Sequence, residues 1–237
     1  MEALERLVFL DTETTGLDPR LGHRIIEVAA VEAVGRDLTG KQLHCYLDPE
    51  REIDPGATAV HGFTWDDLRG NPKFAMIADE LLEFISGARV VIHNAAFDIS
   101  FIDQELARLH APPIAKCHVK ITDSLLLARE KFPGKRNSLD ALCDRLGVDN
   151  SHRNLHGALL DARLLAEVYF ALTRGQGMLE IDVQESPRVF EPKFLASDPS
   201  ALRLPIAEVG VTASVQNTHI EYMERLATQS GVTRRVH

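Results

Sequence analysis

No stretch of the 237 residues approaches the roughly 20 consecutive apolar positions that a membrane-spanning helix needs, so no membrane partner is expected. The apolar run Leu7–Leu10 is short, ends in Asp11 and is followed by no small-residue cleavage pattern, which argues against a secretory signal. Cysteine is scarce. Cys45, Cys117 and Cys143 are odd in number and scattered, so a disulfide framework is not expected and a reducing cytoplasm suits them. No Cys-x-x-Cys pair exists, which argues against a structural zinc site. Excess positive charge is missing too: the formal net charge is −9. A generic duplex binder gripping phosphates with Lys and Arg would carry a basic face. An acidic chain can still meet phosphates through bound divalent cations, which invert the local charge logic. What is present is the composition of a globular protein, 45% hydrophobic and 26% charged, with enough apolar material for a sizeable core.

Up to about Thr173 the pattern alternates strand and helix. Leu7–Thr12 is β-prone. Arg24–Val34 and Lys41–Leu47 read as a hairpin around the stretch Gly35–Gly40. Asp79–Ile85 has amphipathic spacing through Leu81, Leu82 and Ile85, and Arg89–Ile92 is a short β-branched run. A helix is predicted from about Ala96 to Leu109, ended by Pro112-Pro113, and a strand over Lys116–Thr122. Helices follow at Ser124–Lys131, Ser138–Leu146 and Ala158–Thr173, with Ser138 as an N-cap and Gly147 and Gly175 at C-termini. The order βββαβαβα predicts an α/β domain over residues 1–175: a mixed sheet with helices packed on it. Residues 176–237 differ. Gln176–Gln216 has four prolines and unperiodic apolar residues, as in a linker, and a last helix is predicted over Thr218–Ser230. That helix either folds back or docks on another protein.

Three short segments carry chemistry. Asp11-Thr12-Glu13 ends the first strand, and alternation puts Asp11 and Glu13 on one side. Two carboxylates there would repel each other; a divalent cation removes the repulsion, although a solvated acidic strand end is the plainer reading. Asp98 falls in the first turns of a helix after His93-Asn94, among Ala95, Ala96, Phe97, Ile99 and Phe101. A lone carboxylate in so apolar a neighbourhood is costly unless paired or bound to metal. His156 and Asp161, five positions apart, cannot share one face of a helix. His156 therefore belongs in the loop before Gly157 and Asp161 inside the following helix. A loop histidine beside carboxylates suits a general base for water. Asp123, at a strand end, reads as a structural cap.

Together Asp11–Gly16, His93–Phe101 and His156–Asp161 resemble the histidine-bearing branch of the DEDD superfamily of 3′→5′ exonucleases. Val60-His61-Gly62, Thr122–Leu125, Phe132–Leu142 and Leu155–Tyr169 are similar to the members of that branch that proofread for bacterial replicative polymerases. The resemblance covers Leu7 to Thr173 and implies a ribonuclease H-like, mixed five-stranded sheet with an extended C-terminal tail. It implies that Asp11, Glu13, Asp98 and Asp161 hold two divalent cations, Mg²⁺ or Mn²⁺, and that His156 is the base. It also implies that Thr14 and His61 touch the terminal nucleotide of a single-stranded or frayed DNA 3′ end. Phe97 either packs beside the scissile end or only fills the core. Nucleoside 5′-monophosphates would be released one at a time, in the cytoplasm.

For the tail, the resemblance implies contact with a polymerase catalytic subunit. Gln176, Leu179 and Ile181 loosely match a peptide that holds the sliding clamp, with Ile181 where an aromatic residue is usual. Two other readings stay open: an RNA-trimming exonuclease of the same superfamily, and a mainly structural subunit bridging polymerase and clamp.

Overall fold

The computed structural model describes residues 4–153 and 155–174. The linker, the predicted final helix and the clamp-peptide candidates Gln176, Leu179 and Ile181 lie outside the described residues.

Five strands form one sheet in the order β3-β2-β1-β4-β5. The central strand, β1 (Arg6–Thr14), pairs antiparallel with β2 (Ile25–Val34) and parallel with β4 (Arg89–Ile92). Beyond them β3 (Asp37–Tyr46) is antiparallel to β2, and β5 (Lys120–Asp123) is parallel to β4. This is the mixed, ribonuclease H-like sheet expected from the sequence. Strand β1 is buried on both sides because helices cover both faces. Val8 and Leu10 pack with α3 (Phe74–Ile85) and α4 (Ala95–Arg108). Leu7 and Phe9 pack with α6 (Leu139–Leu146) and α7 (Ala158–Leu172). Continuing the alternation, Asp11 and Glu13 leave the sheet on the α7 side, whereas Thr12 faces α4.

The structure departs from the sequence pattern in several places. Strand β3 starts at Asp37 and runs through Gly40, whose φ of 84° the glycine tolerates while β2–β3 pairing shifts register nearby. The hairpin turn is thus confined to the residues just before Asp37. Helix α3 begins at Phe74 because Phe74, Ile77 and Ala78 extend the buried stripe of Leu81 and Ile85 toward Pro72. Ile114–Lys116 forms a 3-10 turn, and β5 starts only at Lys120. Two short helices, α1 (Pro55–His61) and α2 (Trp65–Leu68), were not predicted; each is too short to show a helical period. Helix α5 (Ser124–Lys131) has the expected bounds, and Asp123 caps it by accepting from Leu125 and Leu126 N–H. All three cysteines are free thiols. Among the described residues no helix is long and apolar enough to cross a membrane.

Candidate active site

The C-terminal end of β1 opens into a cleft of about 430 Å³ lined by Asp11, Glu13, Asp98, Asp161 and His156, among others. The four carboxylates and the histidine singled out in the sequence are therefore brought together. Each arrives by its own route. Pairing of β1 with β2 slips between Glu13 and Thr14, which ends the regular strand just as its two acidic residues emerge.

Asp98 comes from the opposite face. After β4, Asn94 adopts the left-handed conformation at φ 67°, which asparagine tolerates better than most residues. The chain then enters α4 directly, and Asp98 sits in its first turn. Asp123 holds this corner by accepting from the backbone N–H of Asn94 (3.3 Å) and Ala95 (3.0 Å). One carboxylate thus secures the N-termini of α4 and α5. Across the gap, Thr12 Oγ1 donates to Asp98 Oδ1 at 2.7 Å, locking the carboxylate of α4 to β1.

Helix α7 supplies Asp161 in its first turn. Its start is set by a buried carboxylate: Glu27 of β2, directly opposite Glu13 in the ladder, accepts from Ala158 N–H at 3.1 Å. The other Glu27 oxygen lies 2.7 Å from His44 Nε2. The loop ahead of α7 is tied to α1 by the His156 N–H, which donates to Val60 C=O at 3.1 Å. His156 therefore stands outside the helix with its side chain 43% exposed, and Nδ1 is 3.2 Å from Asp161 Oδ2. Ligand atoms of Glu13, His156 and Asp161 all lie within 4.8 Å of one another, a grouping able to share one metal ion. Asp11 and Asp98 border the same cleft outside that closest trio.

Sequence reasoning passed over Arg153. Its guanidinium grips Asp161 at both oxygens, Nε to Oδ1 and Nη2 to Oδ2, each at 2.6 Å. Nη2 also lies 2.7 Å from His156 Nδ1, and Nη1 pairs with Asp140 of α6. Thr12, Glu27 and Asp140 were missed as well. Their roles rest on contacts between distant segments, and no local spacing signals them.

The electrostatics are those of crowded carboxylates with too little counter-charge. Burial, then repulsion from Asp98, Asp161 and Glu13, pushes Asp11 well above the usual carboxylate range. Burial, with Asp161 and Glu27 adding to it, pushes Glu13 up to about 8. Burial likewise raises Asp98 to about 7, against the opposing hydrogen bond from Thr12. Asp161 differs. Burial would raise it, but the close approach of His156, the hydrogen bonds from Arg153 and the Arg153 charge hold it below its ordinary value. Three acids whose charged forms burial and mutual repulsion disfavour, beside one neutralised by arginine, make a site that suits added cations. Hard oxygen donors of this kind suit a divalent cation.

A second, more apolar cavity of about 580 Å³ adjoins the first. Thr14, His61 and Val60 line it, and Glu13 and Phe97 border both cavities. Phe97 rests on Phe101 with ring centroids 5.0 Å apart. The Thr14 hydroxyl is committed to Gly16 C=O at 2.7 Å. His61 Nδ1 accepts from Phe63 N–H at 3.1 Å, which leaves the proton of the neutral ring on Nε2. That Nε2 is buried and has no partner among the described residues. A buried donor left unpaired costs about 1–3 kcal/mol, so an acceptor reaching this Nε2 from the cavity would be favoured.

Residues 8–169 match the exonuclease family (RNase_T). DNA polymerase III subunit epsilon of Escherichia coli is 55% identical over 179 residues, covering 73% of this chain and 74% of that protein. The same-named subunit of Haemophilus influenzae is 42% identical over 237 residues, covering 95% and 92%. Among solved structures, exonuclease X with 5′-overhanging duplex DNA aligns at TM-score 0.56 and 24% identity, over 72% of this chain and 93% of that one. Exonuclease I of E. coli with single-stranded DNA and zinc aligns at TM-score 0.64 and 20% identity, over 73% and 42%. At those identities the structural likeness speaks for the fold alone.

Proposed function

The chain belongs to the exonuclease family, and from that premise we propose that it is a proofreading 3′→5′ exonuclease acting on DNA for a replicative polymerase. One observation carries the reading: Asp11, Glu13, Asp98, Asp161 and His156, drawn from β1, α4, α7 and a loop, converge on a single cleft. The likeness to epsilon subunits supports the polymerase context. It also supports a cytoplasmic location.

In this reading Asp11, Glu13, Asp98 and Asp161 hold two divalent cations, Mg²⁺ or Mn²⁺. When bound, such ions lower the pKa of water and offset charge that develops at a reacting phosphate. The chain's own groups do the rest. His156, exposed at the cleft and steadied by Asp161, takes a proton from the attacking water. The water oxygen bonds to phosphorus, the bond to the 3′-oxygen of the preceding nucleotide breaks, and that oxygen leaves with a proton. The products are one nucleoside 5′-monophosphate and a strand one nucleotide shorter. The apolar cavity receives the terminal nucleotide against Val60 and Phe97, with Thr14 lining its wall and the free His61 N–H offered to an acceptor. A frayed end enters more readily, because unpairing a matched end costs about a few kcal/mol.

Residues 176–237 are assigned to partner contacts: the polymerase catalytic subunit through the tail, and the sliding clamp through Gln176, Leu179 and Ile181. The H. influenzae relative supports a shared tail, since its alignment takes in 95% of this chain.

The test uses the purified full chain with Mg²⁺ and three 5′-labelled primer strands: DNA with a mismatched 3′ end, matched DNA, and RNA. Stepwise shortening that is fastest on the mismatched DNA supports the proposal. Preferential shortening of RNA would replace it with an RNA-trimming enzyme. Hydrolysis of none would leave a structural subunit.

A further inference from the structure

Arg153 is the least expected group in the cleft. Its side chain is only 7% exposed, and its guanidinium is held at every corner by residues of the site: Asp161, His156 and Asp140. Bidentate pairing of a guanidinium with a buried carboxylate is among the stronger polar contacts a protein makes. Here it falls on one of the four acids assigned to cations, so both Asp161 oxygens are already engaged.

The same group also engages the assigned base. Arginine can only donate hydrogen bonds, so at 2.7 Å His156 Nδ1 must act as the acceptor. With Nδ1 occupied, the neutral imidazole carries its proton on Nε2 and has no free nitrogen lone pair for water. One guanidinium therefore ties up a metal ligand and a base together. Its third anchor differs in kind: Asp140 lies on α6 and is 52% exposed, outside the carboxylate cluster. Asp140 can retain the arginine when Asp161 is given up.

Resting on the metal-site reading above, we propose that Arg153 is the resident counter-cation of this cleft: it keeps Asp161 and His156 paired in the metal-free protein and competes with divalent cations for Asp161. Arg153 is a positioning residue in this account. It neutralises a buried acid that would otherwise stand unpaired, and its withdrawal toward Asp140 releases Asp161 and the His156 ring in one movement.

The experiment titrates Mn²⁺ alone into the full-length chain by calorimetry, for wild type, R153Q, R153K and D161N. Melting in EDTA and in saturating Mn²⁺ is followed alongside. The expected result is Mn²⁺ binding about tenfold tighter in R153Q than in wild type, because no charge-assisted pair has to be broken. R153K, which can make one contact but no fork, should fall between them. R153Q should melt lower than wild type in EDTA, and its gain on adding Mn²⁺ should be larger. A purely structural arginine would not tighten metal binding when removed. Unchanged or weaker Mn²⁺ binding in R153Q, with D161N impaired, would overturn the proposal while leaving the metal site standing. Equal Mn²⁺ affinity in D161N and wild type would instead overturn the metal-site reading itself. If R153Q does not fold, R153K decides: affinity at or below wild type overturns the proposal.

Discussion

Replacing Glu27 with alanine should loosen the active site from behind. Glu27 is 1% exposed and never reaches the cleft, yet it accepts from the first N–H of α7 and lies against His44. In E27A the Ala158 N–H is left buried without its acceptor, at a cost of about 1–3 kcal/mol. A favourable charge at a helix N-terminus is lost as well, worth about 0.3–1 kcal/mol, and more when buried. Some of this is offset, because Glu27 repels Glu13 across the ladder. The net expectation is about 2–3 kcal/mol. For a chain of this size each kcal/mol moves Tm by roughly 2–4 °C, so E27A should melt roughly 4–12 °C below wild type. Because α7 carries Asp161 and follows His156, kcat should fall tenfold or more, while KM for a DNA end stays within about threefold. E27Q keeps an acceptor for Ala158 N–H and removes the repulsion on Glu13. It should retain most of the stability and activity. Thermal melting by circular dichroism and single-turnover digestion of a 5′-labelled strand measure both effects. If E27A melts within about 2 °C of wild type and keeps full kcat, Glu27 does not anchor α7 and the reasoning fails.

Other expectations follow from the same contacts. Glu13 and Asp98, raised to about 8 and about 7, bind protons more tightly folded than unfolded. Their contribution is complete below the ordinary carboxylate range and is lost as pH rises through those values. Melting in EDTA should therefore fall from about pH 5 to pH 8, and saturating Mg²⁺ should flatten the fall; a flat EDTA profile would contradict the assigned burial. D123A removes the carboxylate shared by the N-termini of α4 and α5, so Tm should drop by roughly 4–8 °C for about 2 kcal/mol, with reduced kcat because α4 carries Asp98. H61A removes the unpartnered N–H from the second cavity, so KM should rise several-fold, with a lower Tm because Phe63 N–H loses its acceptor; unchanged KM would exclude His61 from substrate binding. G16A places a methyl group against the His23 ring and should destabilise by about 1–3 kcal/mol, read by denaturant unfolding.

Much of this architecture was legible because its signals are local. The apolar run ending in Asp11 and Glu13, the Asp98 turn after a β-branched strand, and the five-residue offset of His156 from Asp161 each predict an orientation that the structure has. The Asp123 cap was legible for the same reason. Helices α1 and α2 were not, since four to seven residues cannot display a period of 3.6. Gly40 looks like a turn residue in the sequence, whereas the pairs Ala33–Leu38 and Val31–Gln42 on either side of it keep it within β3 at a register shift. The supports of the site were invisible for a deeper reason. Thr12 with Asp98 is separated by 86 positions and Glu27 with Ala158 by 131. Only tertiary packing makes them neighbours, and Arg153 shows its importance only once Asp140, His156 and Asp161 surround it.

The most direct test of the central claim is metal-started hydrolysis by wild type and D98N on one substrate, a 5′-labelled DNA strand with a frayed 3′ end. The side-chain amide introduced by D98N still offers the Thr12 hydroxyl a carbonyl acceptor, so the fold is retained while one acid is removed. The account predicts stepwise shortening from the 3′ end by wild type on adding Mg²⁺, release of nucleoside 5′-monophosphate, and at least a hundredfold slower reaction in folded D98N. Equal rates in the two proteins, or shortening that proceeds unchanged in EDTA, would contradict it.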